Sequence, residues 1–371
     1  MIRIVLINAI AASVLIASVR AQSRPRARDL GIEPGVYPPG PVNAITDVEG
    51  VRVGHATIVN GDTVRTGVTA ILPHEGNLFQ DKVAGAVFVG NAFGKLAGST
   101  QVAELGTIET PIVLTNTLSV GVAIDAVVRY TIAQPGNEQV RSVNAVVGET
   151  NDGGLNDIRG LHVTREHVLD AIRSAKRGAV AEGTVGAGTG TIAFGWKGGI
   201  GTASRKIERL GYTVGVLAQT NFGGNLTIAG VPIYKYIAPP PPPVAAADAG
   251  DGSCMLVVAT DAPLDARDLR RLAARAVFGL ARTGSSYSNG SGDFAIAFST
   301  STEVRSRFGE TAPRAHQLLP TDAVSPLFEA ALEATEEAVY NSLLQASTVT
   351  SSVGRAHAIP IENLRDLLRR R

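Results

Sequence analysis

Short apolar runs closed off by glycine, proline or asparagine recur along this chain from Ile45 onward, and they restrict its fold more than any other feature. Residues 51–53, 67–72, 84–89, 112–117, 145–147, 213–220, 253–259 and 294–298 each read as a strand ended by a tight turn. Between them, 119–133, 164–174, 263–280 and 327–344 carry apolar residues at helical spacing. Thr164 suits a helix cap and Glu166 the positive end of that helix, although His167 stands where a full capping box would carry Glu or Gln. With 371 residues, 44% hydrophobic and 18% charged, such a chain builds a compact α/β globule.

Charge and composition then narrow the partners. A formal charge of +1 and 5% aromatic residues give no basis for a nucleic-acid or anionic-membrane surface. Residues 1–21 combine Arg3, an apolar stretch over 4–16 and small residues ending at Ala21, the pattern of an export signal too short to span a bilayer. The expected mature protein, 22–371, is periplasmic or secreted and begins with a ragged terminus over 22–28. Cys254 has no partner for an internal disulfide and sits in an apolar run as a structural thiol. The six histidines lie at no zinc-binding spacing, so neither a metal nor another cofactor is expected. A glycine-dense run, 182–205, lacks the phosphate-loop and dinucleotide spacings and reads as closely packed turns. The proline-rich stretch 238–252 reads as an exposed excursion within one domain, because a core strand resumes at Ser253.

One polar run, 285–293, sits between an arginine-rich helix and the strand 294–298. It reads either as a surface turn or as a cleavable bond. In the second case the Ser291 hydroxyl attacks the Gly290 carbonyl, and scission leaves Ser291 with a hydroxyl and a free α-amine. An α-amine titrates near pH ~8 and can activate its own hydroxyl without a histidine. No G-x-S-x-G elbow surrounds Ser291, and no histidine is placed as its base, which favours an amine for any serine chemistry.

Nearly the whole mature chain resembles the self-processing L-aminopeptidase D-amidase/D-esterases and β-peptidyl aminopeptidases. The resemblance rests on ITDVEGVRVGH, TGVTAILPH, LTNTLSVG, VVGETNDGGLND, GTVGAGTGT, LAQTNFGGNLTI, VVATDAPL, RLAARAVFGLARTGSSYSNGSGD and SPLFEAALEATEEAVYNSLL, in that order. It implies a four-layer α/β/β/α sandwich similar to the N-terminal nucleophile hydrolases but with different connectivity. It also implies autocleavage between Gly290 and Ser291 into a 22–290 α-chain and a 291–371 β-chain, assembled as αβ units into a homo-oligomer. Ser291 becomes the nucleophile, Asn221 the oxyanion donor, and Thr335 and Glu337 its hydroxyl and carboxylate partners.

Glu149 then holds the substrate's amino end. Asn151 stands where the family often has an aromatic hydroxyl, which leaves the preference among L-α, D-α and β-amino acids open. The implied substrates are short peptides, amino acid amides or esters. Two other readings are an acyltransferase of the ornithine acetyltransferase type, which uses threonine rather than serine at the new terminus, and a non-enzymatic periplasmic binding protein. The latter predicts no cut at Ser291.

Overall fold

The computed structural model describes residues 24–241 and 252–370; the expected export signal 1–21 and most of the proline-rich excursion lie outside the described residues. The chain starts with the hairpin β1 (Arg52–Asn60) and β2 (Val64–Leu72), followed by β3 (Asp81–Ala92) and β4 (Leu96–Ala97). Next come α1 (Ser99–Leu105), β5 (Thr107–Ile108), β6 (Ile112–Asn116), α2 (Val120–Ile132), β7 (Val146–Thr150) and α3 (Arg165–Arg173). A small hairpin, β8 (Ile192–Ala193) and β9 (Trp196–Lys197), precedes the long strands β10 (Gly199–Ile207) and β11 (Tyr212–Phe222). After a second small hairpin, β12 (Thr227–Ile228) and β13 (Val231–Pro232), come β14 (Gly252–Thr260), α4 (Ala266–Arg282), β15 (Gly292–Ser299), β16 (Ser306–Arg307), α5 (Ser325–Leu344) and α6 (Ile361–Arg369).

The strands form two main sheets. One runs β1-β2-β6-β7-β4; the other runs β10-β11-β14-β15-β3-β16, with β5 also paired to β3. Strand alternation gives each sheet two apolar faces. Ile71, Leu114 and Val146 of the first sheet pack on Leu217, Met255 and Ile296 of the second. Val68, Val113 and Val147 turn instead to α2 and α3, while Val216, Leu256 and Ala295 turn to α4 and α5. The result is the four-layer α/β/β/α sandwich that the resemblance implies.

Helix α5 lies directly on β10, and this contact needs Gly201: a β-carbon there would stand 1.9 Å from the Ala338 carbonyl oxygen. The glycine-dense run is thus partly a packing surface. The start of α3 also departs from expectation, because His167 closes the capping box: its Nδ1 accepts the Thr164 amide at 3.1 Å. The expected ragged terminus is tied down from Arg24 on. Arg24 donates to the Leu344 and Ile359 carbonyls at 2.7 and 2.6 Å, and Arg26 to the Thr202 carbonyl at 2.8 Å. Composition alone missed this because the acceptors lie far away in sequence.

Candidate active site

Three adjacent strands set the level of the site. Asn221 near the end of β11 pairs with Ser253 near the start of β14, and Ser253 pairs with Gly292 at the start of β15. Asn221 is therefore two strand spacings from Gly292, roughly 10 Å. Its Oδ1 accepts the Ile192 amide at 2.9 Å, which fixes the side-chain orientation and leaves the Nδ2 hydrogens as its donors.

The residues around Gly290-Ser291 are clamped. The Ser291 amide donates to the Ser288 carbonyl at 2.9 Å, closing a turn over the intervening residues. The Asn91 side-chain amide donates to the carbonyls on both sides, to Ser288 at 2.8 Å and to Ser291 through a short contact. Phe93 adds its backbone amide to the Ser291 carbonyl at 3.1 Å. Just upstream, Tyr287 adopts a left-handed backbone (φ 47) while its hydroxyl donates to the Val277 carbonyl of α4. Non-glycine residues in this region carry strain, and here tertiary contacts hold it.

A cleft of about 340 Å3 opens beside this turn, walled by Phe93, Lys95, Glu149, Asn151, Ser253 and Gly290. Glu149, at the end of β7, is buried; its Oε1 accepts the Lys95 amide at 2.9 Å and lies 3.7 Å from the Lys95 ammonium. Its Oε2 is buried with no well-formed hydrogen bond, and the Thr117 hydroxyl lies near the carboxylate. Burial pushes the Glu149 pKa up, and Lys95 partly offsets this. Asn151 is exposed, its Oδ1 taken by the Gly153 amide at 2.9 Å. Glu149 and Asn151 thus share a cleft with the carbonyl-bearing residue of the candidate scissile bond.

Thr335 and Glu337 do not join Ser291. Thr335 turns to α4, where a β-carbon on Gly279 would lie 3.0 Å from its own, and its buried hydroxyl makes no hydrogen bond. Glu337 accepts from Arg205 at 2.7 Å, Asn43 at 2.5 Å and Arg28 at 3.1 Å, fully buried. Arg205 also pairs with Glu333 at 3.0 Å. Through Val214 and Thr260, Arg205 is in register with Ser299, at the far end of β15 from Gly292. That separation is roughly 23 Å along the strand. The expectation that Glu337 stabilises the Ser291 amine is corrected accordingly: Glu333 and Glu337 share one helix face, and its partner is a buried guanidinium.

The carboxylate that does lie beside Ser291 is Asp293, which the sequence reading left inside a turn. Both side chains are buried, and neither the Ser291 hydroxyl nor either Asp293 oxygen has a well-formed hydrogen bond. Asp293 is paired with Cys254 on the neighbouring strand, and Cys254 faces the α4/α5 layer. Burial raises the Asp293 pKa to about 6, with a smaller opposing contribution from the Ser291 hydroxyl. The odd positions of 293–297 alternate with the sheet-facing Phe294 and Ile296, a signal that could have placed Asp293 on the helix-covered face.

The chain matches the model of peptidase family S58 over residues 43–357. A β-peptidyl aminopeptidase, BapA, of Sphingosinicella microcystinivorans is 43% identical, with 98% of this chain and 96% of that protein aligned. The L-aminopeptidase D-Ala-esterase/amidase of Ochrobactrum anthropi, described as a variant of the Ntn hydrolase fold, superposes with a TM-score of 0.87 at 38% identity, covering 94% of this chain and 99% of that one. A β-aminopeptidase of a Burkholderia species gives a TM-score of 0.86 at 41% identity, covering 93% and 98%.

Proposed function

The chain belongs to peptidase family S58 and is an aminopeptidase, and we propose that it arms itself by cutting its own Gly290–Ser291 bond. The observation that carries this reading is the shared cleft: Gly290 lines the same cavity as the buried carboxylate Glu149. A cut there leaves the Ser291 amine and hydroxyl at the cleft's edge. The amine removes the hydroxyl proton, Ser291 attacks the substrate carbonyl, and the acyl-enzyme is resolved by water activated by the same amine. Asn221 donates through Nδ2 to the developing oxyanion, and Glu149 receives the substrate ammonium on Oε2.

Substrates of this site are short peptides, amino acid amides or esters with a free amino end, β-peptides and D-amino acid amides among them. We further read residues 1–21 as an export signal to the periplasm or exterior. The cut 22–290 and 291–371 chains form one catalytic domain and assemble as a homo-oligomer of αβ units.

The test is a denaturing gel with amino-terminal sequencing of the purified protein. At 38.5 kDa for 371 residues, fragments of about 28 and 8 kDa are expected, the smaller beginning at Ser291. An intact chain with full activity refutes the proposal.

Two site variants separate binding from chemistry. Asn221→Ala should lower kcat roughly 10²–10³-fold with little change in KM, since the lost donor acts on charge that develops in the transition state. Glu149→Gln should leave processing intact and raise KM for free-amine substrates, with N-acetylated substrates as the control. Because burial raises the Glu149 pKa, protonation removes the ammonium anchor above the ordinary carboxylate range. A second acid inflection of kcat/KM, separate from that of the Ser291 amine, should therefore lie above about pH 4.5 and disappear in Glu149→Gln.

A further inference from the structure

Before the cut, Ser291 has no free amine, so the base assigned to the mature enzyme does not yet exist. Some other group must take the hydroxyl proton if the chain is to cut itself. Ser291 directly precedes β15 and Asp293 is the second residue of that strand, and the Ser291 hydroxyl acts on the Asp293 carboxylate. Both are buried, neither the hydroxyl nor either carboxylate oxygen makes a well-formed hydrogen bond, and the Ser291 hydroxyl lies near enough to the carboxylate to lower its pKa slightly. Among the described residues no salt bridge reaches Asp293. A buried carboxylate with so little hydrogen bonding is costly and needs a reason.

We propose that Asp293 is the general base of the maturation step, taking the Ser291 hydroxyl proton as Oγ attacks the Gly290 carbonyl carbon. The inference rests on the reading that the chain cuts itself. The Oγ–C bond forms and Asp293 becomes a carboxylic acid. The tetrahedral adduct then collapses with cleavage of the Gly290 C–N bond, and Asp293 returns the proton to the departing Ser291 nitrogen. The product is an ester between the Gly290 carboxyl and the Ser291 hydroxyl. Water hydrolyses it, leaving a Gly290 carboxylate, the Ser291 hydroxyl and the new α-amine.

The surroundings suit this task. Asn91 holds the carbonyls of Ser288 and Ser291 on either side of the bond, limiting motion of the turn during attack. The titratable groups facing Asp293 are Cys254 of β14 and Tyr287 of the preceding loop; both have pKa values raised by burial and stay neutral. On the helix side α4 contributes Val277, whose carbonyl is taken by the Tyr287 hydroxyl, and β3 contributes Asn91. With its pKa raised to about 6, Asp293 is a stronger base than an ordinary carboxylate and is ionised at neutral pH.

The experiment follows maturation of full-length chain made by cell-free translation, sampled on denaturing gels between pH 4.5 and 8. For the unaltered chain the rate should rise through about pH 6 and level off. Asp293→Asn should cut at least ~100-fold more slowly with no rise near that pH, while Asp293→Glu, which keeps a carboxylate, should retain both the cut and the rise.

Asp293→Asn maturing at the unaltered rate overturns the proposal, as does a flat profile for the unaltered chain. If Asp293→Asn does not fold, as judged by circular dichroism and gel filtration, the unaltered chain and Asp293→Glu decide through their pH profiles. Failure of the unaltered chain to cut at Gly290–Ser291 removes the self-cutting reading itself. An unaltered chain that cuts alongside an equally fast Asp293→Asn removes only the role of Asp293.

Discussion

Ser291→Ala should remain a single chain and lose aminopeptidase turnover by roughly 10⁴–10⁶-fold, the range seen when a covalent nucleophile is deleted. Under the proposed mechanism both losses have one cause, because the same hydroxyl would attack the Gly290 carbonyl in maturation and the substrate carbonyl afterwards. Ser291 is fully enclosed and its hydroxyl has no well-formed hydrogen bond, so removing one oxygen should leave the fold intact. Circular dichroism and thermal melting check that condition; gels and substrate hydrolysis measure the effect. Retained turnover in an uncut alanine variant would show that the nucleophile lies elsewhere.

Glu337→Ala should act on stability and hardly on chemistry. Its carboxylate is enclosed with Arg205, Arg28 and Asn43, and truncating it leaves the buried Arg205 guanidinium with one carboxylate, Glu333, beside its backbone carbonyl acceptors. Breaking one partner of a buried pair typically costs about 3–5 kcal/mol. The measurement is the urea midpoint in a Ser291→Ala background, where both proteins stay uncut and comparable. In the cutting-competent background, kcat/KM below the melting range should change less than about threefold. A large drop in kcat without a loss of stability would return Glu337 to the chemistry.

This pair of residues shows where a sequence is readable. The TEEA block marks a helix, and α5 forms as its periodicity predicts. What the string does not display is which Glu meets a cation, because Arg205 lies on another element and its burial depends on the Gly201 contact between β10 and α5. Strands such as β11 and β14 were legible because each is a continuous apolar run, and continuous runs belong to sheets covered on both faces.

Asp293 was hidden for the opposite reason. It belongs to a stretch whose composition looks like a turn, while its burial comes from the β14 and β3 partners on either side. Asn91 was silent too, since a lone asparagine carries no signal until the chain brings it against Ser288 and Ser291.

The position of β15, parallel to β14 on one side and antiparallel to β3 on the other, would make folding and the proposed maturation a one-way sequence. The uncut chain assembles that sheet as an intramolecular event, with the helix α4 and the turn holding strand 292–299 near its neighbours. If the backbone opens beside Ser291 as proposed, the same strand is held in place by its ladder and core contacts, but becomes the first element of a separate molecule. Unfolding then releases two chains, and recovery depends on their concentration as well as on their sequences. Renatured precursor should regain activity independently of dilution, whereas renatured mature enzyme should regain less of it the more it is diluted.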